Sequence, residues 1–274
     1  MKVGLQLYSI RWEMEQDMDA ALKAVKDMGY DYVEFAGYFG KTAQEVAALL
    51  KRHHLTCISV HQGYNVFLDA PEENVAFLKT IGVEFCAIPW MDPSRLKGQP
   101  AFDRTVMEIK RVAALLRDNG IRMLYHNHDF EFKTFAGKYL LDWLYETIPA
   151  ELLRPEIDTC WVHYAGCDPC EYLMRYAGQI QLVHLKDYIC KTDARGAVYA
   201  LIDDEGKENK GARQADNGFE FRPLGQGVMN FPAIIDAACK AGAEYLIVEQ
   251  DQAPTASPLE SARQSREYLR SLGL

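Results

Sequence analysis

The chain of 274 residues is 49% apolar and 25% charged, with a formal charge of −9 and a pI near 5.3. That balance excludes a disordered chain and supplies enough apolar surface for one large core. The acidic excess argues against nucleic acid or anionic lipid as a partner, since basic patches meet those, and leaves a small molecule as the natural ligand.

In chain order, runs rich in β-branched and aromatic residues recur: VGLQLYS from Val3, YVEFAG from Tyr32, CISVHQG from Cys57, FCAIPW from Phe85, RMLYHNH from Arg122, PEIDTCW from Pro155, QLVHLKD from Gln181 and YLIVEQD from Tyr245. Segments of helical period lie between them, such as Ala21, Leu22, Val25 and Met28, or Val106, Ile109, Val112 and Leu116. Glycine stops several just before the next strand, as in DMGYDYVEF, DNGIRM and KAGAEYL. Eight strand–helix units in strict alternation predict a closed (β/α)8 TIM barrel, an α/β fold occupying residues 1–274 as a single domain.

No GxGxxG follows the first strand, so the signature of a dinucleotide site is missing. The polar stretch at about 188–227 reads as a loop insertion, either solvated or laid over the site after strand seven. The opening MKVGLQLYSI lacks a basic and apolar leader, and no apolar run approaches the roughly 18 residues of a span, so a cytoplasmic chain without membrane contact is expected. Seven cysteines suit reduced thiols, and the Asp-Pro inside Cys167-Asp168-Pro169-Cys170 reads as a helix start rather than part of a zinc or redox pair. The oligomeric state, a homo-oligomer included, stays open.

Catalytic groups of such a barrel gather at the carboxyl ends of the strands. Here strands end in Glu34, His61, His126-Asn127-His128 followed by Glu131, Asp158, His184 with Lys186, and Glu249. One polar strand end is commonplace, but packing does not call for ionisable groups at corresponding positions of six strands. Alternation puts His126 and His128 on one face, and His184 and Lys186 on one face with Asp187 turned away. A mixed oxygen and nitrogen set without thiolate suits Mn²⁺, Mg²⁺ or Co²⁺ better than Zn²⁺. A cation is also the simplest way to hold several carboxylates together. Tyr8, Trp12 and Trp90 offer an apolar wall to a sugar face, and Glu34, His61 and His126 offer polar substrate contacts.

HNHDFEF, EIDTCWV, VHLKD, PLGQGVMNF and IVEQD, in this order over nearly the whole chain, resemble the sugar phosphate isomerase/epimerase superfamily of xylose-isomerase-like TIM barrels. That superfamily includes ketose 3-epimerases, inosose dehydratase, hydroxypyruvate isomerase and, more distantly, endonuclease IV. The resemblance implies one divalent metal held by a Glu, an Asp, a His and a second Glu, with the two glutamates as acid and base in the epimerases. Carried over, the Asp is Asp158, the His is His184 and the second Glu is Glu249. Where epimerases have Glu-x-His, this chain has His126-Asn127-His128, so His128 matches the family's His and His126 stands in the usual Glu position. Glu131, three residues on, is taken as the first ligand, with His126 as its alternative.

The expected activity is that of a metal-dependent isomerase or epimerase, Mn²⁺ first, acting on a keto-sugar or keto-cyclitol through an enediolate. The alternative is a lyase or dehydratase eliminating a β-substituent from a 3-keto-glycoside or inosose. His128 is the candidate base, Lys186 the stabiliser of the enediolate oxygen, and Glu249 and Glu131 the carboxylates of the acid–base set. An endonuclease IV-like role would need further ligands and a basic face, and a non-catalytic sugar-binding barrel is the alternative if Glu131 and His126 both fail as ligands.

Overall fold

The structure, a computed structural model, describes residues 1–191 and 218–274. Eight parallel strands close into a barrel: β1 Lys2–Gln6, β2 Tyr32–Phe35, β3 Thr56–His61, β4 Phe85–Ile88, β5 Arg122–His126, β6 Leu153–Asp158, β7 Leu182–Leu185 and β8 Tyr245–Val248. Each strand pairs with its sequence neighbours, and β8 pairs with β1. The alternation of sequence periods dictates this, because parallel neighbours need a crossover and the crossover helices must cover the outer face.

Local chemistry sets the helix ends. Thr42 and Glu45 form a reciprocal capping box at the start of Ala43–His53, and Pro71 and Pro258 open their helices where no N–H is required. Gly82 and Gly242 take the left-handed conformation that ends a helix ahead of the next strand. The largest apolar cluster lies between strands and helices, with Leu5, Val33, Leu50, Ile109, Leu144 and Leu246 all buried. Each such side chain contributes roughly 1.5–3 kcal/mol by leaving water.

A smaller cluster fills the barrel itself: Ile58, Phe85, Ala87, Leu124, Leu182, Tyr245 and Ile247. Gly4 faces this interior, where a Cβ would meet Ile247 Cδ1 at 2.8 Å and the Tyr32 carbonyl at 3.2 Å.

Beyond β7 the chain enters the expected insertion. Asp187–Ile189 pairs antiparallel with Glu220–Arg222, and most of the intervening stretch lies outside the described residues. Asp187 points away from the His184 face, as alternation predicts, and its carboxylate accepts the backbone N–H groups of Tyr188, Gly225, Gly227 and Met229 at 2.9 to 3.1 Å. A Cβ on Gly227 would sit 2.1 Å from Asp187 Oδ1, so only glycine fits that approach. Asp168 caps the helix Pro169–Arg175, as its sequence suggests, and Cys167 and Cys170 are free thiols. No helix among the described residues is long and apolar enough to cross a membrane.

Candidate active site

The inward face of the barrel changes character along its strands. Leu124, Leu182 and Ile247 form part of the apolar floor, and two residues further along the same faces stand His126, His184 and Glu249. His126 lies level with Glu156, Asp158 with His184, and Gln6 with Glu34. The register between β2 and β3 slips by one residue there, from Val33 opposite Cys57 to Glu34 opposite Ser59.

Asp158 ends β6 and caps the helix Thr159–Tyr164, where its Oδ1 accepts the Trp161 N–H at 3.0 Å. Its Oδ2 is thereby left facing inward, 3.3 Å from Lys186 Nζ and 3.8 Å from His126 Nε2. Asn127, on the opposite face of its segment, accepts the Asp158 N–H at 3.0 Å and donates to the Asp158 carbonyl at 3.3 Å, tying the ends of β5 and β6 together. His184 bridges two carboxylates: Nδ1 lies 2.8 Å from Glu249 Oε2 and Nε2 lies 2.8 Å from Glu34 Oε1. Lys186 Nζ lies 3.0 Å from Glu249 Oε2 and 3.2 Å from Asp251 Oδ1.

Glu131 is placed apart from this group. The 3₁₀ turn Phe130–Phe132 folds it back onto its own strand, where Oε2 accepts the His128 N–H at 2.9 Å and Oε1 accepts the Tyr125 hydroxyl at 2.7 Å. Among the described residues, donor atoms converge within 4.8 Å in two overlapping sets: His126, Asp158, His184 and Glu249, and His61, His126, Glu156 and His184. The β5 member of both is His126 rather than Glu131.

Glu34 and His61, expected as polar substrate contacts, stand deep in the barrel. Glu34 is fully buried against Gln6, His61 and His184, and His61 Nε2 lies 3.0 Å from Glu34 Oε1 and 2.9 Å from Glu156 Oε2. Tyr8 and Trp12 are at the rim, where the Arg11 guanidinium packs over both rings, and Trp12 is 44% exposed. Trp90 meets Phe130 edge to face. His128 stacks parallel to Phe130 and lies near His126 and Trp161.

Sequence reasoning missed Glu156 and Asp251. Both were within reach of it: each shares a face with a flagged carboxylate two residues away, Asp158 and Glu249.

Burial opposes charge on all of these groups, and neighbours decide which keep it. Burial pushes the His61 imidazole down, but Glu34 and then Glu156 outweigh it and raise it to about 10. His184 is likewise buried, and the same two carboxylates hold it well above its ordinary value. Burial resists the Glu249 charge, yet Lys186 and His184 overcome that and lower its pKa. Burial and then the adjacent Glu34 push Glu156 up to about 7, and burial lifts Asp251 to about 7 against the pull of Lys186. His126 and His128 are driven down by burial, His126 also by His184 and His128 by Lys186, and both are neutral at pH 7.

These residues fit a divalent cation. Glu34, Glu156, Asp158, Glu249 and Asp251 bring five carboxylates into one buried region. Asp158 Oδ2, which faces His126 Nε2, is buried without a hydrogen bond. A carboxylate excess beside unspent donor atoms is what a cation offsets.

The chain belongs to the xylose isomerase-like TIM barrel family, which it matches over residues 22–272. It is 26% identical over 276 residues to an inosose dehydratase of Geobacillus kaustophilus, covering 92% of this chain and 86% of that protein. A sugar phosphate isomerase/epimerase from Parabacteroides distasonis superposes with a TM-score of 0.76 at 22% identity, over 98% of this chain and 93% of that one. The IOLI protein, whose structure holds a zinc atom, superposes with a TM-score of 0.68 at 15% identity, over 99% and 98% of the two chains.

Proposed function

We propose that this chain is a divalent-metal-dependent carbon–oxygen lyase of a keto-cyclitol or keto-sugar. It removes the proton α to a carbonyl and expels the β-oxygen substituent. One observation carries the choice of elimination over epimerisation: His126 occupies the cluster position where a two-glutamate epimerase has a carboxylate, which leaves Glu249 without its matched partner across the substrate carbon. The similarity to an inosose dehydratase supports the same choice and the polyhydroxylated ketone as substrate class.

His126, Asp158, His184 and Glu249 would hold the cation, which on binding polarises the substrate carbonyl and acidifies the α-carbon. Two imidazoles with two carboxylates move the preference from Mn²⁺, which an oxygen-rich set with Glu131 would favour, toward Co²⁺ or Zn²⁺. His128 is neutral because burial and the Lys186 charge disfavour its protonation, so its imidazole can accept the α-proton. Glu131 accepts the backbone N–H of His128, and the imidazole itself stacks on Phe130.

Lys186 is held by Asp158, Glu249 and Asp251, and its ammonium offsets the charge that develops on oxygen and stands as the donor to the departing group. The C–H and C–O bonds break, a C=C bond forms, and the departing oxygen leaves with a proton as water or an alcohol.

The test is ¹H NMR in D₂O with the metal-loaded protein and a panel of an inosose, a 3-keto-glucoside and a ketose. Loss of the β-substituent with an unsaturated ketone as product supports the proposal. Deuterium entering the α-carbon without elimination would make the chain an epimerase or isomerase instead. No exchange and no elimination on any member would overturn the reading.

A further inference from the structure

The two imidazoles of the proposed cation site each have a carboxylate behind them. His184 turns Nδ1 toward Glu249 and Nε2 toward Glu34 Oε1, at 2.8 Å each. His126 turns Nε2 toward Asp158 Oδ2 and Nδ1 toward Glu156 Oε2, 3.5 Å away. Both rear carboxylates have no solvent exposure at all. Neither is loose: Gln6 Nε2 donates to Glu34 Oε1 at 2.6 Å, and His61 Nε2 lies within 3.0 Å of both Glu34 and Glu156.

We propose that Glu34 and Glu156 are positioning residues of the site, Glu34 bonded to the inner nitrogen of His184 and Glu156 facing that of His126, so that the outer nitrogens present their lone pairs to a cation between Asp158 and Glu249. The inference rests on the cation site proposed above. A carboxylate behind a ligating imidazole fixes its tautomer and ring orientation and strengthens it as a donor.

Charge accounts for the arrangement. With His126 in the ligand set, the seat carries two carboxylates, Asp158 and Glu249, which match a divalent charge. The carboxyl expected at the end of β5 stands on β6 instead, as Glu156, level with His126 across the β5–β6 pair.

A second cation among His61, His126, Glu156 and His184 is the competing arrangement. It would use the inner nitrogens of the same two rings whose outer nitrogens face the first seat. Occupation of both seats would strip each ring of its remaining proton, so one cation is expected.

The experiment titrates metal-freed full-length protein with Co²⁺, follows visible absorption against a competing chelator, and counts metal per chain by mass spectrometry. Wild type should bind one Co²⁺. Glu34→Gln and Glu156→Gln should each still bind one, about 10- to 100-fold more weakly, while the metal-free variants melt as wild type does. Because Glu156 acts through His126, adding Glu156→Gln to His126→Gln should weaken binding no further, a coupling that a general loss of packing would not produce. Should Glu156→Gln fail to fold, the same cycle with Glu34→Gln and His184→Gln decides the matter.

Unchanged affinity in the single variants, or additive losses in the double variants, overturns the positioning role. Two Co²⁺ per wild-type chain, one of them lost in Glu156→Gln, would make Glu156 a ligand and overturn it as well. Wild type that binds no cation removes the site itself, whereas one cation held equally by wild type and variants removes only this inference.

Discussion

Glu131→Ala tests whether this carboxyl serves the loop or the cation. The substitution strips the acceptor from two buried donors, the His128 N–H and the Tyr125 hydroxyl. Each buried donor left without a partner costs about 1–3 kcal/mol, so the pair amounts to about 4 kcal/mol. In a chain of this size 1 kcal/mol moves the melting point by roughly 2–4 °C, which predicts a fall of about 10 °C.

Glu131→Gln should be far milder. Burial raises the Glu131 pKa to about 8, so the carboxyl is protonated at neutral pH and glutamine is its neutral counterpart. The folded-state value lies above the unfolded one of about 4.3. The stability it contributes is therefore fully present below about pH 4.3 and is lost as pH rises through about 8. Relative to Glu131→Gln, wild type should lose stability between about pH 4 and pH 8 and change little above that. Scanning fluorimetry across that range, with metal content measured alongside, reads both effects. A Glu131→Gln protein of wild-type stability that has lost its metal would refute the reasoning and return Glu131 to the ligand set.

Three further outcomes follow from the same geometry. Asp158→Ala and Glu249→Ala should abolish turnover while circular dichroism stays that of the wild type, since each removes a group at the barrel mouth; an unfolded variant would show a structural role instead. His128→Gln should lower kcat by about 10²- to 10⁴-fold with metal content unchanged, and a rise in KM without a fall in kcat would reduce His128 to a substrate contact. Chelation should remove activity, and Co²⁺ or Zn²⁺ should restore more of it than Mn²⁺; the reverse order would argue for an oxygen-rich ligand set.

The barrel was readable because strand and helix periods alternate without a break, and boundary differences are local. The run VGLQLYS suggests a strand past Gln6, but Leu7–Ile10 turns into a 3₁₀ helix; PEIDTCW suggests a strand to Trp161, but Asp158 ends it by capping the helix Thr159–Tyr164. The cluster was readable from inward alternation at the ends of β5 to β8. Glu131 was not, because its spacing from His128 suits either an inward ligand or a turn that closes on the His128 amide. Only the 3₁₀ geometry selects the second. The depth of Glu34 and His61 was hidden too, since alternation tells which face a residue takes and not how much of the barrel closes above it.

The most direct measurement of the cation site is anomalous diffraction at the cobalt edge from crystals grown with Co²⁺. The account predicts one peak per chain, within about 2.0–2.3 Å of a nitrogen of His126, a nitrogen of His184 and carboxylate oxygens of Asp158 and Glu249, with Glu131 outside the coordination sphere. A peak bound by Glu131, or the absence of any peak among these side chains, would contradict it.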